Sequence, residues 1–202
     1  MKPVPWNMLG PWSSDIYSAR ALLVIDVQPE WYGPTTDTYK HFPNFAERLT
    51  SLLARCRAKG THIIHIRAKY DTSPEVESDY TRWHQQFRRF NPEKPLDLSG
   101  DPTPWARELD DGSESVFNKP TFNAFLGTEL HGYLQERGIN KLILAGLITS
   151  VCVQMTANEA FMRGYEVNVV SEACADRSRD RHEAAKLLYS GYVWNDIPLE
   201  SV

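Results

Sequence analysis

The chain has 202 residues, a formal charge of −4 and a pI near 5.9, a length that suits one domain with one site. That charge offers no general attraction to phosphate backbones or anionic lipid, so nucleic acid and membrane surfaces are excluded as expected partners. The longest apolar run, Leu142 to Ile148, is far shorter than the roughly 20 residues that span a bilayer, and MKPVPWNMLG lacks the apolar core of a signal peptide, so the expected location is the cytoplasm.

Residues 1–18 hold three prolines and the tryptophans Trp6 and Trp12 without helical or alternating period, and read as an irregular arm ahead of a single domain over 19–202. ALLVIDVQ, residues 21–28, is a continuous apolar run ended by Asp26, the pattern of a central parallel strand covered on both faces. Phe42, Phe45, Leu49, Leu52, Leu53 and Cys56 recur as one face of a helix that stops at Gly60. THIIHIRA, residues 61–68, is the second strand, so the chain starts β-α-β and the sheet is parallel. Residues 69–111 form a polar, Pro-rich stretch with a short helix around Tyr80 to Phe90; a loop this long often belongs to a site.

SESVFNK (113–119) reads as a third strand ending at Lys119, residues 128–138 as a helix closed by Gly138, and KLILAGL (141–147) as the fourth strand. A helix from Cys152 to Arg163 follows, then a strand over 166–173. The last helix runs over 179–190, with Asp180 and Glu183 spaced as a capping pair, and Tyr192 to Trp194 make a short sixth strand. The alternation implies a doubly wound α/β sheet whose ligands sit beyond the carboxyl ends of its strands.

Those ends collect Asp26, Lys119 and Cys152. Each alone has an ordinary reading: an acid that caps a loop, a solvated lysine, a cysteine that packs as a small hydrophobe. Together they supply the parts of amide hydrolysis. A thiolate attacks the carbonyl, a carboxylate moves the proton from thiol to departing nitrogen, and an ammonium keeps both anions charged. A helix start at Cys152 also favours a thiolate and an oxyanion. The three cysteines, Cys56, Cys152 and Cys174, are too few and too scattered for a disulfide framework or zinc site. Cys56 lies on a helix stripe and Cys174 follows a strand, so both are read as packing.

ALLVIDVQPEW, KPTFNAF, AGLITSVCVQMTANEA and GYEVNVVSEACAD, in that order, resemble the segments of the isochorismatase-like cysteine hydrolases. That family contains nicotinamidases, N-carbamoylsarcosine amidohydrolase, ureidoacrylate and biuret amidohydrolases, and isochorismatase itself. The resemblance implies a three-layer α/β/α fold with a six-stranded parallel sheet, and a triad of Asp26 as base and acid, Lys119 as electrostatic partner and Cys152 as nucleophile. It implies a cis Leu147–Ile148 peptide, with the N–H groups of Ile148 and Cys152 as oxyanion hole, and a homo-oligomer.

Two departures narrow the chemistry. Nicotinamidases carry a metal held in part by an Asp-x-His pair; HIRAKYDTSPEVESDY has none, and His62 and His65 read as strand residues, so no metal or other cofactor is expected. Vinyl-ether-cleaving isochorismatases do not need the cysteine, so Cys152 favours C–N hydrolysis of a small amide, ureido or carbamoyl compound through a thioester. Gln28 and Thr149 are the expected polar contacts, and Trp31, Phe122 and Trp83 the apolar walls. Arg67, Arg82, Arg88 and Arg89 are candidates for a substrate carboxylate. The alternatives are a vinyl-ether hydrolase with Asp26 as acid, or a non-catalytic binding member of the family. An oxidoreductase is disfavoured because no G-x-G-x-x-G follows the first strand.

Overall fold

The computed structural model describes residues 19–70, 80–90, 103, 105–106 and 112–202. The N-terminal arm, with Trp6 and Trp12, and most of the 69–111 stretch lie outside the described residues. Six strands form one parallel sheet: β1 (Ala19–Ile25), β2 (His62–Ala68), β3 (Ser115–Lys119), β4 (Ile139–Leu147), β5 (Glu166–Ala175) and β6 (Asn195–Asp196), in the order β3-β2-β1-β4-β5-β6. The helices are α1 (Asp37–His41), α2 (Phe45–Ala58), α3 (Thr81–Phe90), α4 (Leu130–Glu136), α5 (Gln154–Met162) and α6 (Arg179–Tyr189). None among the described residues is long and apolar enough to cross a membrane.

The apolar run of β1 is explained by burial on both faces. Ala21, Leu23 and Ile25 join one core with Leu130, Leu134, Ala157 and Ala160 of α4 and α5. Leu22 and Val24 point the other way and meet Phe45, Leu49, Leu52 and Cys56 of α2. Successive side chains of a strand leave opposite faces, so only a strand between two helical layers reads as continuously hydrophobic.

Several boundaries differ from those read in the sequence. The Phe42–Cys56 stripe is split, because Phe42 precedes Pro43 and is held out of the helical region there (φ −130°), so α2 starts only at Phe45. The cap of α6 is Ser178, whose hydroxyl accepts from the Arg181 N–H; the Asp180/Glu183 pair falls inside the helix. Tyr192 and Val193 turn back onto the Tyr189 carbonyl after Gly191 (φ 76°), which displaces the last strand from 192–194 to Asn195–Asp196. The helix expected from Cys152 begins at Gln154 instead. Thr149–Val153 form a π-helical turn in which the Val153 N–H bonds to the Ile148 carbonyl.

The sheet order reverses between β1 and β4, and Gly146 sets how closely those strands approach there. It pairs with Ile25, has φ 118°, and a Cβ on it would lie 2.2 Å from the Ile25 carbonyl oxygen. Beside it the pairing of β4 with β5 slips between Leu144 and Gly146, a bulge that re-aims the strand end. Gly146→Ala therefore combines a forbidden φ with a backbone collision, and should destabilise the protein by roughly 3 kcal/mol or more. Its thermal unfolding should fall clearly below wild type, and an unchanged midpoint would refute the close approach.

Candidate active site

The switch point between β1 and β4 is where a doubly wound sheet opens a crevice beyond its strand ends. Asp26 follows β1 there, with φ 51°, in the left-handed region that Asp tolerates better than most residues. Its N–H bonds to the Ile66 carbonyl at 2.8 Å, continuing the β1–β2 ladder while the side chain is turned inward. Cys152 enters from the β4 side, in the π turn. Lys119 arrives from β3, the edge strand, and its long side chain must pass the end of β2, where the small Ala68 is its register partner.

The three meet. Lys119 Nζ lies 2.8 Å from Asp26 Oδ2, 3.5 Å from Cys152 Sγ and 2.9 Å from the Thr121 carbonyl. Lys119 is 0 %, Asp26 1 % and Cys152 4 % exposed, so the ion pair is removed from water and little screened. Neither carboxylate oxygen of Asp26 has a well-aligned hydrogen bond among the described residues, and the Asp26 and Cys152 side chains face the pocket.

Burial sets the resting protonation. It pushes the Asp26 carboxyl above its usual range, with Lys119 pulling it part of the way back. Burial alone would lower the Lys119 ammonium, but Asp26 and Cys152 beside it more than offset this and hold it above the ordinary lysine value. The Cys152 thiol is pushed well up by burial and by Asp26, with Lys119 opposing. The thiolate favoured by a helix start is thus disfavoured at rest, because burial outweighs the turn's dipole.

The pocket holding Asp26 and Cys152 has a volume of about 170 Å³. That is space for a small molecule. Trp31, Phe87, Phe122 and Val151 make its apolar walls, Ile148 borders it, and Arg177 supplies its cation. The Leu147–Ile148 peptide is cis. A larger hollow of about 290 Å³ lies elsewhere, around Phe42, Arg48, Glu172 and Lys186. It contains none of Asp26, Lys119 and Cys152, and Arg48 and Lys186 are paired with Glu172 and Asp196, so the smaller pocket is the candidate site.

Trp31 and Phe122 stand where the sequence reading puts them, but other expected contacts do not. Both ends of the Gln28 amide are spent on the Ala68 backbone, at 3.0 and 2.7 Å. Thr149 is 1 % exposed, and its hydroxyl bonds the Ala175 carbonyl and the His182 imidazole. Trp83 backs the wall by contacting Phe87 and Phe122 without lining the pocket. Arg67 borders a separate shallow hollow with Leu49, Leu53 and Trp105, and Arg82, Arg88 and Arg89 are exposed on α3. His65 is taken by Glu114 at 2.7 Å, and no group of three metal-ligating side chains occurs among the described residues.

Arg177 is the residue that sequence reasoning missed. It follows β5 by two positions, at the same sheet edge as the other groups. Asp176, fully buried, accepts from the Ser150 N–H and the Arg177 N–H, both at 2.7 Å, and so ties the cysteine turn to the arginine. The Arg177 Nε has no hydrogen-bond partner among the described residues, its nearest carboxylate oxygen being Asp176 Oδ1 at 3.9 Å. The available signal was positional: the strand-end argument that selects Asp26 also selects residues 176 and 177.

A family model described as Isochorismatase domain matches residues 20–193. The chain belongs to this family. Among its isochorismatase-family relatives, maleamate amidohydrolase of Pseudomonas putida is 31 % identical over 183 residues, covering 88 % of this chain and 83 % of that protein. An isochorismatase-like hydrolase from Alkaliphilus metalliredigens superposes with a TM-score of 0.73 at 21 % identity, over 92 % of this chain and 94 % of that one. N-carbamoylsarcosine amidase from Thermoplasma acidophilum superposes with a TM-score of 0.70 at 20 % identity, over 91 % and 98 %. These structures share the α/β fold with the six-stranded parallel sheet. The protein is an isochorismatase-family hydrolase.

Proposed function

We propose that this hydrolase cleaves the C–N bond of a short amide that carries a carboxylate, through a thioester on Cys152 and without a metal. The observation that carries the reading is the position of Lys119 Nζ, in contact with both Asp26 and Cys152 at the base of a small pocket. Attack forms the S–C bond as the thiol proton moves to Asp26, and the carbonyl oxygen takes the negative charge. The N–H groups of Ile148 and Cys152 at the pocket border are the proposed donors to that oxygen. Asp26 returns its proton to the nitrogen, the C–N bond breaks and ammonia leaves. Water then attacks the thioester, giving its proton to Asp26, and the acid departs as the thiol reforms.

The carboxylate follows from Arg177, the cation among the residues lining the pocket, whose Nε has no hydrogen-bond partner among the described residues. A guanidinium binds a carboxylate in bidentate fashion. The relative named for maleamate makes that amide acid the first substrate to assay. A vinyl-ether substrate, with Asp26 as acid, would leave Cys152 without a role, and a non-catalytic member would have no use for the buried ion pair.

The test is ammonia release from maleamate and from neutral amides of similar size. Arg177→Gln should raise KM for the amide acid roughly 10- to 100-fold, the worth of one hydrogen bond to a charged group. The neutral amide should respond little. Pyruvate from isochorismate with no ammonia from any amide would overturn the proposal, and an equal effect on both amide classes would remove Arg177 from it.

A further inference from the structure

Tyr70 lies two residues past the end of β2 and is 2 % exposed. Its ring is enclosed by Trp83 at 5.3 Å, Phe87 at 6.2 Å and Phe122 at 6.5 Å, so it stands behind the apolar wall of the pocket. Lys119 Nζ sits 5.7 Å from the ring centroid, a cation over an aromatic face, which places the phenol beside the three reacting groups. Packing accounts for the ring but not for its oxygen. The hydroxyl is buried without an aligned hydrogen bond to any described residue, an arrangement that costs roughly 1–3 kcal/mol and that phenylalanine would avoid.

The groups this hydroxyl senses are the Cys152 thiol, which it can hydrogen-bond, and the Asp26 carboxylate. Burial first, then those two groups, holds the phenol well above its usual value, so it remains a donor at neutral pH. We propose that Tyr70 is a further catalytic residue, whose O–H donates a hydrogen bond to the Cys152 sulfur as its proton leaves for Asp26. The thiolate is then held between the Lys119 ammonium and the Tyr70 phenol. No proton moves from Tyr70; its contact strengthens as charge develops on sulfur, so it favours the reacting state over the resting one. The inference rests on the thioester reading above.

Tyr70→Phe deletes the O–H and keeps the ring, its aromatic contacts and the cation over its face. The experiment follows carboxamidomethylation of Cys152 by iodoacetamide against pH, quantified on the Cys152 peptide, together with ammonia release from maleamate and thermal unfolding. The alkylation profile of the variant should move up by about one to two pH units, and kcat should fall about 10- to 100-fold. The unfolding midpoint should stay level or rise, because an unpaired buried hydroxyl has gone. A profile superimposable on wild type overturns the proposal whatever happens to kcat, and a lower midpoint with an unmoved profile assigns Tyr70 to packing. Wild type that releases no ammonia while the alkylation shift persists would fault the amidohydrolase reading and leave the Tyr70 contact standing.

Discussion

Cys152→Ala should lower ammonia release from a short amide acid by about 10⁴-fold or more, since the thioester cannot form and the remaining groups can only polarise the substrate. The fold should survive. Cys152 sits in the core beside Ala157 and Val153, and its thiol rests uncharged, so alanine removes one buried sulfur and no charge. Measured by ammonia release beside thermal unfolding, the expected result is an inactive protein with a midpoint within a few degrees of wild type. A variant that keeps a tenth of the activity would end the covalent mechanism. Wild type quenched in acid during turnover should also show the acyl mass on the Cys152 peptide, and the variant none.

Lys119→Met should abolish activity and also unfold the protein more easily, and the second effect is the more informative. The substitution leaves Asp26 at 1 % exposure without its counter-charge, a loss of about 3–5 kcal/mol for breaking a buried pair from one side. For a chain of this length that is a drop of roughly 6–20 °C in the unfolding midpoint. The pH dependence has a definite sign. Burial already raises the folded-state Asp26 carboxyl, and loss of Lys119, the group that pulls it back, raises it further. The folded variant therefore keeps its proton to higher pH than folded wild type, and its deficit against wild type grows as pH rises through the wild-type folded-state value, which burial already holds above the usual carboxyl value of about 4. In acid the two proteins should converge. Asp26→Asn with Lys119→Met should recover most of the stability while remaining inactive; a deficit independent of pH would show that Lys119 matters for volume rather than charge.

The sequence makes the scaffold legible where one residue's environment dictates its type. The run of β1, buried between two helical layers, and the α2 stripe facing one of them are such places, as are the strand ends that carry Asp26, Lys119 and Cys152. Legibility fails where a polar side chain chooses among several partners. Gln28 and Thr149 stand next to the site in sequence, yet their polar atoms are consumed by backbone carbonyls, a peptide N–H and His182, whose positions only the folded chain defines. Arg177 and Tyr70 fail in the opposite way. Arg177 extends past a strand end that carried no other expected reacting group, and Tyr70 reads as one more aromatic for the core. The state of Cys152 escaped for an energetic reason: a dipole can be read from a strand-to-helix junction, but the burial that overrides it depends on core residues distant in sequence.

Gln28 carries a further meaning in how the sheet ends. Its side-chain amide gives and takes the two hydrogen bonds that a backbone peptide would, so a single residue prolongs the β1–β2 ladder after β1 itself has turned away at Asp26. Ala68 is thereby anchored, and the next residue ties the neighbouring strand to it, because the Lys69 N–H donates to the Lys119 carbonyl at 3.1 Å.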